Sequence, residues 1–337
     1  MPASTSPLST RQRPAPDSFL LGKAALRLLS PGGQRGLSIL IYHRVLAQKD
    51  PLFPGEVDRI EFDQQIGWLR SCFNILPLHE AIEHARCGTL PPRAACITFD
   101  DGYADNAEVA LPVLQQHQVP ATFFVATGFL NGGRMWNDTL IELVRYAPGP
   151  LLDASSIGLG THAIDTVEER RAAIGALIKA LKYLPLEQRL EQVERLADAT
   201  RIELPGNLMM TSVQVLQLHQ AGMDIGGHTV NHPILAKIPA AVARAEMAEG
   251  KLALEDMTGA PVRLFAYPNG KPGEDYLAEH VAMAKELKFD GAVSTAWGAS
   301  RNGHDLFQLP RFTPWDRTRL AFAMRLARNL TVPAARL

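Results

Sequence analysis

Two short stretches carry the residue types that metal-assisted hydrolysis needs. The first is Thr98-Phe99-Asp100-Asp101-Gly102. Adjacent carboxylates repel one another, so a cation set against one of them stabilises the pair. Neighbouring residues at a strand end also diverge, so one can hold an ion while the other faces the reacting atoms. By itself Asp-Asp-Gly is more often a plain turn, with Gly102 where the chain bends back. The second stretch is His228-Thr229-Val230-Asn231-His232-Pro233. Two histidines four residues apart suit a metal when they share a helical turn or a tight loop. Gly226 and Gly227 permit unusual backbone angles ahead of them, and Pro233 stiffens the exit. Together Asp101, His228 and His232 form an O, N, N set with room left for water, as a catalytic rather than structural zinc requires. Imidazoles equally suit cobalt, nickel or iron. Asp100 is then placed to take a proton from that water as general base.

Two further clusters have the same setting. Phe265-Ala266-Tyr267-Pro268-Asn269-Gly270 is a stiff loop whose backbone N–H groups can meet a developing oxyanion. Leu309-Pro310-Arg311-Phe312 brings a cation to a late strand. Each alone reads as an ordinary turn or surface residue. What links all four is the kind of segment that precedes them.

Leu37–Tyr42, Ala94–Phe99 and Ala121–Ala126 are short, continuously apolar runs, the pattern of strands buried on both faces. Met223–Gly226, Val262–Tyr267, Gly291–Thr295 and Leu309–Thr313 continue the series. Helical stripes alternate with them: Phe62, Ile66 and Leu69; Ala104–His117; Ala278–Leu287. This alternation predicts an α/β fold on a mainly parallel sheet. The carboxyl ends of such strands form the mouth where ligands bind, and the four clusters sit there. Residues 131–210 interrupt the rhythm with two helical stripes, Val167–Tyr183 and Leu186–Ala199, read as a helical insertion that packs and contributes to a groove. The chain thus divides into a tail with a short amphipathic helix (1–36), a main domain (37–317) containing the insertion, and a basic helix (318–337).

Composition limits the rest. With 46% hydrophobic and 20% charged residues the chain of 337 can bury a large core, and a formal charge of −1 gives no field for nucleic acid. Cys72, Cys87 and Cys96 match no Cys-x-x-Cys pair and read as free thiols. No apolar run reaches the ~18–20 residues of a membrane span. No secretory pattern is evident, so the cytoplasmic side is expected, with weak peripheral membrane contact through the amphipathic ends.

TFDDG, then HTVNHP, then FAYPNG, in that order on strand ends, resembles the polysaccharide deacetylase family (carbohydrate esterase family four) from about Ile39 to Arg311. The resemblance implies a distorted (β/α) barrel of about seven strands. It implies Asp100 as the base, Asp101, His228 and His232 as ligands of a divalent metal, zinc first, and the Tyr267 backbone N–H as oxyanion donor. The reaction it implies is hydrolysis of acetamido groups on an N-acetylglucosamine-containing glycan. Two departures stand out. Phe265-Ala266 occupies the place of a frequent arginine, leaving Arg311 to hold Asp100 ionised. A late Leu-x-His, whose histidine would protonate the leaving amine, is missing. His304 is a weak substitute, and His43 reads as a structural residue at a strand end. Other readings of the same residues are an amidohydrolase of a different non-peptide C–N bond and a non-catalytic sugar-binding protein.

Overall fold

A computed structural model describes residues 26–300 and 304–337. Its strands are β1 (Ser38–Tyr42), β2 (Asn74–Ile75), β3 (Ala94–Phe99), β4 (Thr122–Val125), β5 (Leu151–Asp153), β6 (Thr161–Ala163), β7 (Asp224–Gly227), β8 (Leu264–Ala266), β9 (Gly291–Trp297) and β10 (Leu309–Arg311). In the main sheet every pairing is parallel, along the order β1-β3-β4-β7-β8-β9-β10, with β2 added beside β3. The path then returns to its start. Phe312, just past β10, bridges to Leu40 of β1. Its N–H donates to the Ile39 carbonyl and its carbonyl accepts from the Ile41 N–H, both at 3.0 Å. The expected mainly parallel barrel is therefore the fold.

The side-chain period of two divides each strand between the inside and outside of this ring. Ile39, Cys96, Phe124, Leu264, Ala266, Val293 and Leu309 come from six strands and pack on one another, which only the interior permits. Leu40, Ile97, Phe99, Phe123, Val125 and Phe265 form the alternate set and pack under the outer helices. Gly226 takes an interior position. A Cβ there would stand 2.4 Å from the Phe124 ring, so space decides this glycine, and it lies in regular strand. The unusual backbone angles expected before the histidines occur instead at Thr229, between them, and at His232 itself.

Outside the ring lie α1 (Arg59–Cys72), α2 (Leu78–Cys87) and α3 (Leu111–His117). The predicted stripe Phe62, Ile66, Leu69 is the buried face of α1, which starts where the Asp58 side chain accepts from the Glu61 N–H. The stretch before α3, Asn106–Ala110, is a π-helical turn, a wider turn than the helix expected there. The insertion contributes α4 (Trp136–Tyr146), α5 (Val167–Leu181) and α6 (Leu186–Thr200). A Thr166–Glu169 capping box opens α5. Leu140, Leu143, Ile174, Leu177, Val193 and Leu196 give these helices a core of their own. The insertion also holds an antiparallel hairpin, β5 with β6, that the helical reading omitted. After it come α7 (Ser212–Gln220), α8 (Ala240–Thr258), α9 (Ala278–Glu286) and α10 (Arg319–Thr331). The last is the expected basic helix, and it buries Phe322, Leu326 and Leu330, with Phe322 5.7 Å from Trp68 of α1. The expected tail and most of the amphipathic helix over 18–30 lie outside the described residues. Among those described, no helix is long and apolar enough to cross a membrane.

Candidate active site

The parity that fills the barrel also aims its chemistry. Ala94, Cys96 and Thr98 point inward along β3, and Asp100 is the next member of that series. Leu309 and Arg311 do the same on β10. The two series meet: Arg311 donates to both Asp100 oxygens, at 2.7 and 2.6 Å. It also donates to Thr98 Oγ1 at 3.1 Å and to the Ser294 carbonyl at 3.0 Å. Both partners are buried, at 2% and 1% exposure, so removing either strands a charge at a cost of ~3–5 kcal/mol. Burial pushes the Asp100 carboxyl up, but the Arg311 charge and its hydrogen bonds outweigh it and hold it below the usual carboxylate range. Arg311, read from sequence as the residue holding Asp100, stands where that role needs it.

Asp101 turns the other way. Its φ of +77° lies in the left-handed region, rare for a residue with a side chain, and sets its carboxylate apart from that of Asp100. Asp101 Oδ1 is 3.4 Å from His228 Nε2 and 3.4 Å from His232 Nε2. Donors about 2.1 Å from one tetrahedral ion stand about 3.4 Å apart, so the spacing fits a divalent cation. His228 Nδ1 donates to the Ala266 carbonyl at 2.8 Å, which leaves the Nε2 lone pair facing Asp101. Burial pushes His232 down to about 4, so its ring is neutral, as a ligand must be. The donor set therefore fits a metal, and the three residues sequence reading joined are brought together.

The loop between the histidines is held from outside. Glu246 of α8 accepts from the Val230 N–H at 2.9 Å, the Asn231 N–H at 2.8 Å and the Asn231 side-chain amide at 2.8 Å. Thr229 Oγ1 accepts from the His232 N–H at 3.0 Å. Gly250, one turn after Glu246, lets α8 approach closely, since a Cβ there would lie 2.9 Å from Thr229 backbone. Thr229 (φ +66°) and His232 (φ +51°) are both left-handed.

The third motif behaves differently from expectation. The Tyr267 N–H donates to the Val293 carbonyl at 3.2 Å, as one more rung of the β8–β9 pairing. Its side chain has outward parity, stacking on Tyr276 at 3.9 Å and donating to the Phe307 carbonyl at 3.0 Å. Tyr267 thus has no amide to offer an oxyanion. Asn269, two residues on, lines the cavity with φ +58°, and its N–H has no acceptor among the described residues.

That cavity, about 280 Å³, is lined on the barrel side by His43, Asp100, Asp101, His228, His232, Asn269 and Thr295. His43, read as structural, is exposed within it, whereas His304 is not among its lining residues. The opposite wall comes from the insertion: Trp136, Ile178, Lys182 and Arg189. Sequence reading gave the insertion a share in a groove but named none of these side chains.

The polysaccharide deacetylase family pattern matches residues 88–146 and 193–292, which hold the Asp pair, both histidines and Asn269. The poly-beta-1,6-N-acetyl-D-glucosamine N-deacetylase of Staphylococcus aureus is 34% identical over 87 residues, 26% of this chain. The aligned part is 30% of that relative's length. Bacillus subtilis YxkH is 21% identical over 277 residues, 82% of this chain and 70% of that one. Among solved structures, IcaB from Ammonifex degensii shares the fold with a TM-score of 0.56 at 21% identity, covering 86% of this chain and 97% of that one. The Streptococcus pyogenes deacetylase PplD, solved with acetate, gives 0.55 at 21%, covering 82% and 91%. Motifs in order and family pattern agree, and the chain carries a polysaccharide deacetylase domain matched over residues 88–146 and 193–292.

Proposed function

We propose that this protein is a metal-dependent hydrolase that removes acetyl groups from N-acetylglucosamine units of a glycan. One observation carries the reading. Asp101, His228 and His232 converge at metal-ligand spacing, and Asp100, fixed by Arg311, stands beside them in the same cavity. The substrate class follows that of the Staphylococcus aureus relative. The ligands would be Asp101, His228 and His232, and zinc is the first choice because two neutral imidazoles and one carboxylate suit it. When bound, such an ion supplies Lewis acidity, lowering the pKa of water and polarising a carbonyl.

The chain's own groups do the rest. Asp100 accepts a proton from the attacking water, and Arg311 keeps it a carboxylate ready to do so. Each Asp100 oxygen uses one lone pair on Arg311 and keeps another for the proton. The Asn269 N–H points a donor at the oxygen on which charge develops as water adds to the acetyl carbon. His43, exposed in the cavity, gives a proton to the nitrogen as the C–N bond breaks, taking the place of the missing Leu-x-His. Acetate and a free amine leave.

The test is acetate release from an N-acetylglucosamine oligomer by purified protein of known metal content, before and after chelation. Stoichiometric metal and chelator-sensitive release are expected. A metal-free protein of full activity, or a metal-loaded one inert on every N-acetylated oligosaccharide tried, overturns the proposal.

A further inference from the structure

We infer that the insertion's wall of the cavity binds an anionic group, a carboxylate or phosphoryl, carried by the glycan that is deacetylated. This rests on the hydrolase reading above and names its substrate class.

Arg189 on α6 is 5% exposed and lines the cavity opposite the metal ligands. Its guanidinium lies 4.8 Å over the Trp136 ring, and one NH group donates to the Lys182 carbonyl at 3.0 Å. Those contacts orient it, yet they do not answer its charge. Its Nε is buried with no hydrogen-bond partner. Among the described residues no carboxylate reaches ion-pair distance of Arg189 or of Lys182, which lines the same wall half-buried. Arg134 and Arg170 likewise meet only backbone carbonyls, but neither lines this cavity, and many other arginines are ion-paired. Arg44, Arg145, Arg263, Arg311 and Arg325 all meet aspartate or glutamate.

A buried cation without a counter-ion is costly, and its cost is relieved when a ligand brings the missing charge. Guanidinium is donor-only and planar, with a fork that matches carboxylate or phosphate oxygens. Lys182 adds a second, mobile positive charge. A purely structural Arg189 would account for the bond to Lys182 and the stack on Trp136, but not for two cations on one cavity wall with no carboxylate at ion-pair distance of either among the described residues. Both residues fall in 147–192, the stretch that the family pattern leaves unmatched, so this preference belongs to this chain and not to the shared machinery.

The experiment compares three tetramers on the metal-loaded full chain: neutral N-acetylglucosamine, the same carrying a 6-phosphate, and one with lactyl carboxylates on alternate sugars. Both kcat/KM and calorimetric affinity are measured. We expect one anionic tetramer to be favoured about tenfold or more, mainly through KM, the size of one charge-assisted contact to a buried group. The favoured arm tells carboxylate from phosphoryl. R189Q should bring the anionic-to-neutral ratio close to one, and K182Q should lower it several-fold. If R189Q fails to fold, K182Q decides. Equal affinity for neutral and anionic tetramers, or a ratio unmoved by either substitution, overturns the inference. Binding separates the two claims: selective binding without acetate release sinks the hydrolase reading alone, and unselective acetate release sinks this one alone.

Discussion

The cavity has two walls, and they are finished to different standards. On the barrel side the groups that fix the base and the histidine loop are answered. Asp100 has Arg311, Glu246 has three donors, and His228 has the Ala266 carbonyl. On the insertion side Arg189 Nε has no hydrogen-bond partner, and neither Arg189 nor Lys182 meets a carboxylate among the described residues. The backbone differs in the same sense. Asp101, Thr229, His232 and Asn269 all hold left-handed φ, between +51° and +77°. Each such residue costs on the order of 1–3 kcal/mol and persists only where its surroundings over-determine it. The insertion wall presents helical side chains with no such strain. Groups that meet the reacting atoms are thus preorganised, while groups that would meet the rest of the substrate are left for the substrate to complete.

The contrast can be broken most severely at Asp100. D100N should lower kcat by about a thousandfold while metal content stays at the wild-type level, since only the base is lost. Acetate release together with metal analysis reads both, and wild-type turnover would remove Asp100 from the chemistry. A smaller effect is expected from loosening the loop that Glu246 grips. E246A should weaken metal affinity about 10–100-fold, measured by competition with a chelator, as loss of a group that orients ligands does. R189Q should leave that affinity alone. If both substitutions shift it equally, the two walls are not separate systems.

The smallest effect serves as a control at the far end of the barrel. There His79 Nδ1 pairs with Asp224 at 2.8 Å, at the start of the strand whose other end leads to His228. The Asp224 bond raises the His79 pKa more than burial lowers it. A raised folded-state pKa gives stability that is full below the ordinary value of about 6.5 and is lost as pH rises through the folded value. Both groups are partly exposed, so less than about 1 kcal/mol is involved. H79Q should therefore lower Tm by about 1 °C at pH 5.5 and scarcely at pH 9, with acetate release unchanged at neutral pH. A change in turnover would show that the ends of the barrel are coupled.

Legibility followed the same division. Asp100, Asp101, His228 and His232 were readable because each pair sits at a strand end, where a sequence pattern and a place in the fold coincide. Arg311 was readable for a related reason: a cation on the last strand of a ring comes back beside the first ones. Tyr267 failed on parity and register. Counting in twos from Leu264 and Ala266 sends residue 267 outward, and Tyr267, the last residue of the run read as a strand, spends its N–H on the pairing with β9. Asn269 lies past the strand, in a loop to which that count does not apply. Gly226 was assigned to backbone freedom when the Phe124 ring needed its space. β5 and β6, three residues each and half exposed, offer no periodicity to detect. Lys182 and Arg189 join the cavity only through the docking of one small core on another, which no local pattern records.

Arg311 and Phe312 are adjacent, and their neighbouring roles have a consequence. Phe312 supplies the two backbone bonds that seal the first strand to the last, and Arg311 supplies the positive charge that keeps the base deprotonated. A molecule unzipped at that seam keeps both aspartates and both histidines yet loses the guanidinium from its base. On the proposed reading, closing the ring and arming the base are one event, so a chain open at that seam would lack its base even with all three ligands present.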